Sequence, residues 1–329
     1  MICTRNYSYI EEKHYNSAKE FLLAISYGGE LYDLFESNFI FRGHATAEYK
    51  LIPSALRGNL YIEYWKNKSK DTLLPSTEEQ LIQYSLTEHS VVATESRIIQ
   101  NFFQLCDANQ LYIPEIARLR ETFSTGFDIE AHFKIERWLP EELYEIVAIA
   151  QHYGLKTRLL DWTYDINVAL YFASIGSSMK RDLELIERSI KNGLDGTVTE
   201  PQIEIWALDT SVVYAAKGQN SPLKIINPRH YKNDNMSAQR GCFTLWEIEK
   251  CGIDGKHASA NRRSLDELIT DYLIQHNVTV KPYLYHITLP QKDFKEIYKF
   301  AKRNNADAAH LFPGYEGVVR CINEDAKML

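Results

Sequence analysis

Three short runs with the two-residue period of a β-strand constrain the fold of this chain more than any other feature. They lie at residues 38–44, 202–208 and 283–289, and none is long enough for a typical helix. The stretches between them are long and carry mostly helical periodicity. We therefore expect an α+β fold, in which a mixed, largely antiparallel sheet is surrounded by helices.

The helical pattern also suggests how the chain is organised. Capping boxes, Ser17 with Glu20 and Ser264 with Glu267, open two of the expected helices. The remaining amphipathic segments are at residues 141–151, from 165 onward, at 182–192 and at 291–303. Residues 60–137 are helical, polar and irregular, which is typical of an insertion. With no repeat and no Pro-, Gly- or Ser-rich linker, we expect one domain over residues 1–329 with its motif core at about 39–319.

The composition restricts the classes of partner. The formal net charge of −7 argues against a general nucleic-acid or anionic-membrane binder, because both partners require a basic surface. A local exception is residues 224–263, where eight Lys or Arg stand against four acids. The chain shows no secretory signal pattern and no apolar run of membrane-spanning length. We therefore expect a cytoplasmic protein that contacts no membrane.

The cysteines and histidines do not indicate a metal site. Cys3, Cys106, Cys242, Cys251 and Cys321 form no Cys-x-x-Cys pair, and the histidines form no His-x-x-x-His pair. The odd number of cysteines is typical of reduced thiols in a cytoplasm. We expect no disulfide framework and no bound metal.

The first of three polar clusters contains Arg42 and His44, on either side of Gly43 in the first predicted strand. A guanidinium is costly to bury unless its fixed fork of donors meets a carboxylate, a phosphate or a carbonyl group. Arg42 is therefore either a ligand-binding residue, beside a glycine that permits close approach, or the structural partner of a core acid.

The second cluster, residues 151–163, is the densest in the chain. Its polar and aromatic members are Gln151, His152, Tyr153, Thr157, Arg158, Asp161, Trp162 and Thr163. We expect Asp161 or Thr163 to cap the following helix, whose N-terminus favours phosphate or carboxylate groups. Trp162 could stack on a planar ring. One cap uses few of these side chains, so the whole cluster indicates a ligand site.

The third cluster, residues 233–244, leads into a strand-like run at 242–246. Gln239 and Arg240 stand at its entry. The pattern is compatible with a ligand contact and equally with a loop that hydrogen-bonds its own backbone.

These clusters together resemble the FRG domain family. Phe41-Arg42-Gly43 is similar to the aromatic-Arg-Gly signature of that family, and further motifs follow in the family's order. They are LIPSALR at 51–57, QHYGLKTRLLDWT at 151–163 followed by ALYFA, AQRGCF at 238–243 and LFPGYEG at 311–317. The chain departs from the family in the long stretch between the first two motifs and in Lys156, where Pro is common. The family is better known as a sequence pattern than as an activity.

A further resemblance is to ADP-ribosyltransferases of the Arg-Ser-Glu kind. These place an aromatic-Arg on a first core strand and a Ser-Thr-Ser run on the next strand, before a helix. The resemblance implies that Arg42 binds the pyrophosphate of NAD and that Thr157 and Thr163 hold the ribose beside the nicotinamide. Trp162 or Tyr153 would stack on the nicotinamide. The remaining residues of the implied NAD site are His44, Gln151, His152, Arg158 and Asp161.

The same resemblance calls for a carboxylate on a later strand, which stabilises the positive charge that develops at the ribose as nicotinamide departs. Glu316 is one candidate. Gln239 is the other by position, although an amide lacks the required charge.

Two functions therefore stay open. The first is an NAD-using, ADP-ribosyltransferase-like or NAD-cleaving enzyme that acts on a protein or nucleic-acid acceptor, as bacterial toxins and defence effectors do. The second is a non-catalytic sensor that binds a nucleotide or an acidic partner, with Arg42 and Arg158 as anchors. Release of nicotinamide by the purified protein would separate them.

Overall fold

The strands and helices are seen in a computed structural model that describes residues 8–35, 38–65, 78–121, 136–191, 200–216, 220–229, 234–249 and 258–328. The strands are β1 (Ile10–His14), β2 (Phe39–His44), β3 (Arg137–Trp138), β4 (Leu160–Thr163), β5 (Gln202–Asp209), β6 (Leu223–Ile226), β7 (Gly241–Trp246), β8 (Ile248–Glu249) and β9 (Leu284–Pro290). The predicted strands at 38–44, 202–208 and 283–289 are confirmed as β2, β5 and β9.

Seven of these strands form one sheet in the order β1-β9-β5-β2-β4-β7-β6. Strands β1 and β9 are parallel, and every other neighbouring pair is antiparallel. Strands β3 and β8 form a separate two-stranded sheet. The α+β class and the mixed, largely antiparallel sheet are therefore confirmed.

The helices surround this sheet. They are α1 (Ala18–Ile25), α2 (Ser54–Arg57), α3 (Leu60–Trp65), α4 (Glu78–Ser85), α5 (Glu88–Ala108), α6 (Ala117–Glu121), α7 (Tyr144–His152), α8 (Ile166–Lys191), α9 (Asp234–Ala238), α10 (Leu265–Gln275), α11 (Phe294–Arg303), α12 (Ala308–Leu311) and α13 (Tyr315–Met328). Helix α1 begins at the predicted cap, where the Ser17 hydroxyl accepts a hydrogen bond from the Glu20 amide. Short 3₁₀ turns precede α7 and α11.

Each face of the sheet buries its own core because side chains alternate along the strands. On one face, Phe41, Ile205 and Ile287 pack against α1, α8 and α11. On the other face, Ile40 and Leu208 pack against α10. Helices α5 and α7 form a further core with side chains of β7. Strand β2 lies near the middle of the sheet, so Arg42 lies within a packed region rather than on an edge strand.

Residues 60–137 are largely helical where the structure describes them, as predicted. Helices α3 to α6 lie in this segment, whereas residues 66–77 and 122–135 fall outside the described part. Its longest helix, α5, buries Val92, Ile99 and Phe103 against α7 and its neighbours.

One predicted boundary is wrong. Residues 182–191 are not a separate surface helix but the continuation of α8, which runs unbroken from Ile166 to Lys191. The segment contains no proline and its charged residues are good helix formers, so nothing interrupts the backbone hydrogen bonds. Residue 192, the last of the predicted segment, lies outside the described residues. No helix in the described part of the chain is long and apolar enough to cross a membrane.

Candidate functional site

Residues from all three polar clusters line one cavity of about 410 Å³. Arg42 enters from β2, Asp161 and Thr163 from β4, and Gln239 from the residues that precede β7. Gln151 and His152 complete the polar wall at the C-terminal end of α7. The clusters meet because β2, β4 and β7 are consecutive strands of the sheet.

The opposite wall of the cavity is apolar. Phe41 and Phe243 contribute from the sheet, Phe172 from α8, and Phe312 from the segment between α12 and α13. The rings of Phe172 and Phe312 meet edge to face, with centroids 6.4 Å apart. Ligand sites in proteins commonly combine aromatic walls with a few polar groups in this way. Phe172 is 38% exposed.

Gly43 determines how closely α8 can lie against β2. A Cβ atom at this position would lie 2.0 Å from the backbone oxygen of Ala169. Only glycine allows the helix to pack this near, so Gly43 brings Val168 and Phe172 to the cavity. The sequence predicts a close approach at Gly43, and the group that approaches it is the backbone of α8.

A row of hydrogen bonds crosses the polar wall. Nη1 of Arg42 donates to the backbone oxygen of Asp161 at 2.6 Å and to its Oδ2 at 3.1 Å. The other carboxylate oxygen of Asp161 accepts from Nε2 of Gln151. The Thr157 hydroxyl donates to Oε1 of Gln151. Thr157 is buried and lies outside the cavity, so its contact with the site is through Gln151.

Two histidines border the site differently. His152 lines the cavity, and burial lowers the pKa of its ring despite the opposing charge of Asp161. His44 is buried behind Arg42, whose Nε donates to its Nε2 at 2.8 Å. Tyr153, with 70% of its surface exposed, lies outside the cavity lining and meets His152 edge to face.

The residue that caps helix α8 differs from the prediction. Asp165, rather than Asp161 or Thr163, caps it, because Oδ1 of Asp165 accepts from the amide of Asn167 at 2.9 Å. The Thr163 hydroxyl accepts from the Asp165 amide at 3.0 Å and donates to the backbone oxygen of Gln239 at 2.7 Å. Asp161 lies within β4, where its carboxylate is bonded to Arg42 and Gln151.

The stacking role predicted for Trp162 does not fit its placement. The residue forms part of the cavity wall, but only 4% of its surface is exposed. Its indole packs with the core on the far face of the sheet and donates to the Thr244 hydroxyl at 2.9 Å. The aromatic rings available to a ligand are those of Phe172 and Phe312.

Arg158 is likewise not a ligand anchor. Its side chain is 4% exposed and lies between two acids of helix α5. Its Nε donates to Glu95 at 2.7 Å and its Nη2 donates to Glu88 at 3.2 Å. Burial would lower the pKa of Arg158, but the charges and hydrogen bonds of the two acids outweigh burial and raise it. Arg158 attaches helix α5 to the sheet.

Glu316 also differs from expectation. It is an exposed residue in the first turn of α13, not on a strand. It lines a different cavity, of about 540 Å³, together with Arg320 and Glu324. Among the residues that line the first cavity, Asp161 is the carboxylate. The sequence order that suggested Glu316 could not distinguish a helix from a strand at this glycine-rich motif.

One comparison with known proteins is informative. Residues 37–182 match the family model of the FRG domain. The chain contains an FRG domain. No curated protein and no solved structure matches the chain.

The matched segment of the FRG domain runs from β2 to about two thirds of the way along α8. It therefore carries Arg42, Gln151 and Asp161, whereas Gln239 and Phe312 lie beyond it. Most of the polar wall thus belongs to the FRG domain, and part of the apolar wall comes from later in the chain.

The donor set of the site suits an organic anion better than a metal. In the described part of the chain, no group of three or more His, Cys, Asp or Glu is placed to hold a metal ion. Arg42 uses Nε and Nη1 for protein contacts, and within the same described residues its Nη2 makes no hydrogen bond. The cavity therefore offers a guanidinium donor, amide groups from Gln151 and Gln239, and aromatic rings.

Proposed function

We propose that the FRG domain binds NAD in this cavity and catalyses cleavage of the bond between ribose and nicotinamide. The supporting observation is the pairing of Arg42 with Asp161 in the polar wall of a cavity whose other wall is aromatic. The ADP-ribose unit would pass to a protein or nucleic-acid acceptor, or to water. This cavity is within the size range of small-molecule sites in proteins.

Arg42 is the proposed anion-binding group. Its side chain is only 14% exposed, and two of its three nitrogens are held by Asp161 and His44. The guanidinium is therefore held in one orientation, with Nη2 available for a ligand. A planar guanidinium binds phosphate oxygens by charge-assisted hydrogen bonds, and a fixed one loses little conformational entropy on binding.

Asp161 is the proposed catalytic carboxylate in place of Glu316, because it lines the same cavity as Arg42. As the C–N bond breaks, its electron pair leaves with nicotinamide and positive charge develops at the ribose. A carboxylate close to that carbon stabilises the charge. The acceptor then forms a bond to the same carbon and loses a proton.

The remaining wall supplies binding contacts. Phe172 and Phe312 present aromatic surface on which the nicotinamide or adenine ring can stack. Gln151 holds Asp161 and is itself held by Thr157, so the role implied for Thr157 in holding ribose becomes that of a support.

The test is to incubate the purified protein with NAD, measure binding by calorimetry and measure nicotinamide release by chromatography. Wild type should bind NAD and release nicotinamide. Asp161→Asn should retain binding and lose most turnover, because the charge matters only as the bond breaks. Arg42→Lys should weaken binding, because a point charge cannot replace the guanidinium fork.

Glu316→Gln is the matched control, because it removes the same charge from the other cavity. It should leave both NAD binding and nicotinamide release unchanged. Loss of turnover in Glu316→Gln together with normal turnover in Asp161→Asn would overturn the assignment of the carboxylate. Absence of NAD binding and of nicotinamide release in wild type would overturn the proposed function.

One observation favours the alternative, a non-catalytic nucleotide-binding module. Both carboxylate oxygens of Asp161 already accept hydrogen bonds, from Arg42 and from Gln151. A carboxylate bonded in this way can hold Arg42 for an anionic ligand without taking part in a reaction. NAD binding without nicotinamide release, in wild type and Asp161→Asn alike, would establish this alternative.

A further inference from the structure

A continuous line of hydrogen-bonded ionisable side chains extends from Arg42 to the edge of the sheet. Nδ1 of His44 lies 2.6 Å from Oε2 of Glu204, and Oε1 of Glu204 lies 2.5 Å from Nε2 of His286. Nδ1 of His286 lies 2.5 Å from Oε2 of Glu12. With the bond from Arg42 to His44, the line crosses β2, β5, β9 and β1.

The sheet register explains this alignment. His44 pairs directly with Glu204, and Glu12 pairs directly with His286. Cross-strand partners on one face have their side chains side by side. The ring of His286 also stacks on Trp206, with centroids 4.3 Å apart and ring planes within 15°. This stacking fixes the ring plane, so that one ring nitrogen faces each carboxylate.

The line determines which nitrogens carry protons. Nε of Arg42 can only donate, so Nε2 of His44 must accept, and a neutral ring then carries its proton on Nδ1. That Nδ1–H donates to the Glu204 carboxylate. His286 faces a carboxylate at each nitrogen, so both nitrogens donate and the ring is an imidazolium.

The environments of the two rings agree with these assignments. Burial lowers the pKa of His44, and the charges of Arg42 and Arg57 add to this effect against the opposing Glu204. Burial would also lower the pKa of His286, but Glu204 and Glu12 outweigh it and raise the pKa. The hydrogen bonds from both histidines outweigh burial at Glu204 and lower its pKa.

We propose that His44, Glu204, His286 and Glu12 form a positioning relay that holds the guanidinium of Arg42 toward the cavity. In the relay His44 is a neutral Nδ1–H tautomer, Glu204 is ionised and His286 is an imidazolium. Its effect on ligand binding rests on the proposed NAD site, whereas its protonation pattern does not. His44 is therefore a positioning residue and not a ligand contact.

The relay explains how the side chains of His44 and Glu204 can be buried at a tolerable free-energy cost. The side chains of His44 and Glu204 are 4% and 3% exposed. An isolated carboxylate at this depth would be strongly destabilising, and here two ring donors compensate it. Without the relay, Arg42 could rotate toward solvent, because its remaining bonds are both to Asp161.

The first experiment records the ring ¹⁵N spectra of the histidines in the full chain without ligand, near neutral pH. His44 should show a protonated Nδ1 and an unprotonated Nε2, and His286 should show both nitrogens protonated. Glu204→Gln should convert His286 to a neutral ring, since an amide donor then faces its Nε2. A His44 ring protonated at Nε2, or a neutral His286 in wild type, would overturn the relay.

Two substitutions separate positioning from simple packing. Asn at position 44 retains a donor near the place of Nδ1 but loses the acceptor for Arg42, whereas Gln retains an acceptor near the place of Nε2. His44→Asn should therefore weaken NAD binding about tenfold, the effect of one lost hydrogen bond to a charged group, and His44→Gln should restore most of it. Equal losses in both variants would contradict the positioning role.

His14→Asn is the matched control, because His14 lies on β1, as Glu12 does, and its one side-chain hydrogen bond among the described residues is with the Thr288 hydroxyl, at 2.5 Å. It should change neither the His44 tautomer nor NAD affinity. If wild type fails to bind NAD, the proposed function fails, while the ring spectra still decide the relay. If NAD binds but the spectra disagree, the relay alone is refuted.

Discussion

Replacing Arg158 with methionine should cost far more stability than replacing an arginine usually does. The substitution leaves Glu88 and Glu95, each with a side chain 4% exposed, without their cation. Burial already raises the pKa of Glu95 against the opposing charge of Arg158, so its charged form depends on that partner. Breaking a buried ion pair by removing one side costs about 3–5 kcal/mol, a large share of the roughly 5–15 kcal/mol available to a domain.

The assay is urea denaturation, followed by a spectroscopic signal of the folded state, for Arg158→Met and for a matched control. Arg137→Met is that control, because Arg137 also bridges two glutamates, at 3.2 and 3.3 Å, but is 26% exposed. Its loss should be about 1 kcal/mol, as for other solvent-accessible ion pairs. Adding Glu88→Gln and Glu95→Gln to Arg158→Met should recover part of the lost free energy. Equal losses in the two single variants would refute the reasoning.

Two further predictions concern the sheet. Gly43→Ala should lower the free energy of unfolding by about 3 kcal/mol or more, because the new Cβ would lie 2.0 Å from the Ala169 oxygen. The measurement is a thermal melt, and the control is Gly241→Ala, whose new Cβ would meet only ordinary van der Waals contacts. The stabilisation of the fold by charged His286 should be complete below the ordinary histidine pKa of 6.5 and should be lost as pH rises through the raised pKa of His286. The folded state should also lose stability as pH falls through the lowered pKa of His44. Denaturation across pH should show both declines, and His286→Gln should remove the alkaline one.

The sequence predicted those parts of the fold whose signal is local. Strand β2 follows from the alternation around Phe41, and α1 follows from the Ser17 cap. Strand β4 was not predicted, because it has only four residues and its polar positions resemble those of a loop. Strand β1 carries three charged residues and a histidine among its five, so no apolar alternation marks it.

In the candidate site, too, the features with a local sequence signal were predicted, and those that depend on distant residues were not. Arg42, Asp161 and Gln239, one residue from each predicted polar cluster, line the same cavity. The role of Arg158 could not be predicted, because its partners Glu88 and Glu95 lie 70 and 63 residues away in the sequence and resemble ordinary charged helix residues. The relay was hidden for the same reason, as Glu204 and His286 belong to strands whose pairing the sequence does not reveal.

The order in which the cavity walls occur along the chain has a consequence for synthesis. Arg42 is made first, Asp161 and Phe172 follow, and Phe312 is made last of these four residues. A growing chain can therefore form α7 and α8 before it contains the Phe312 side of the cavity. If the cavity consumes NAD, a chain broken off before Phe312 lacks part of the aromatic wall and should release nicotinamide more slowly than a chain that contains it.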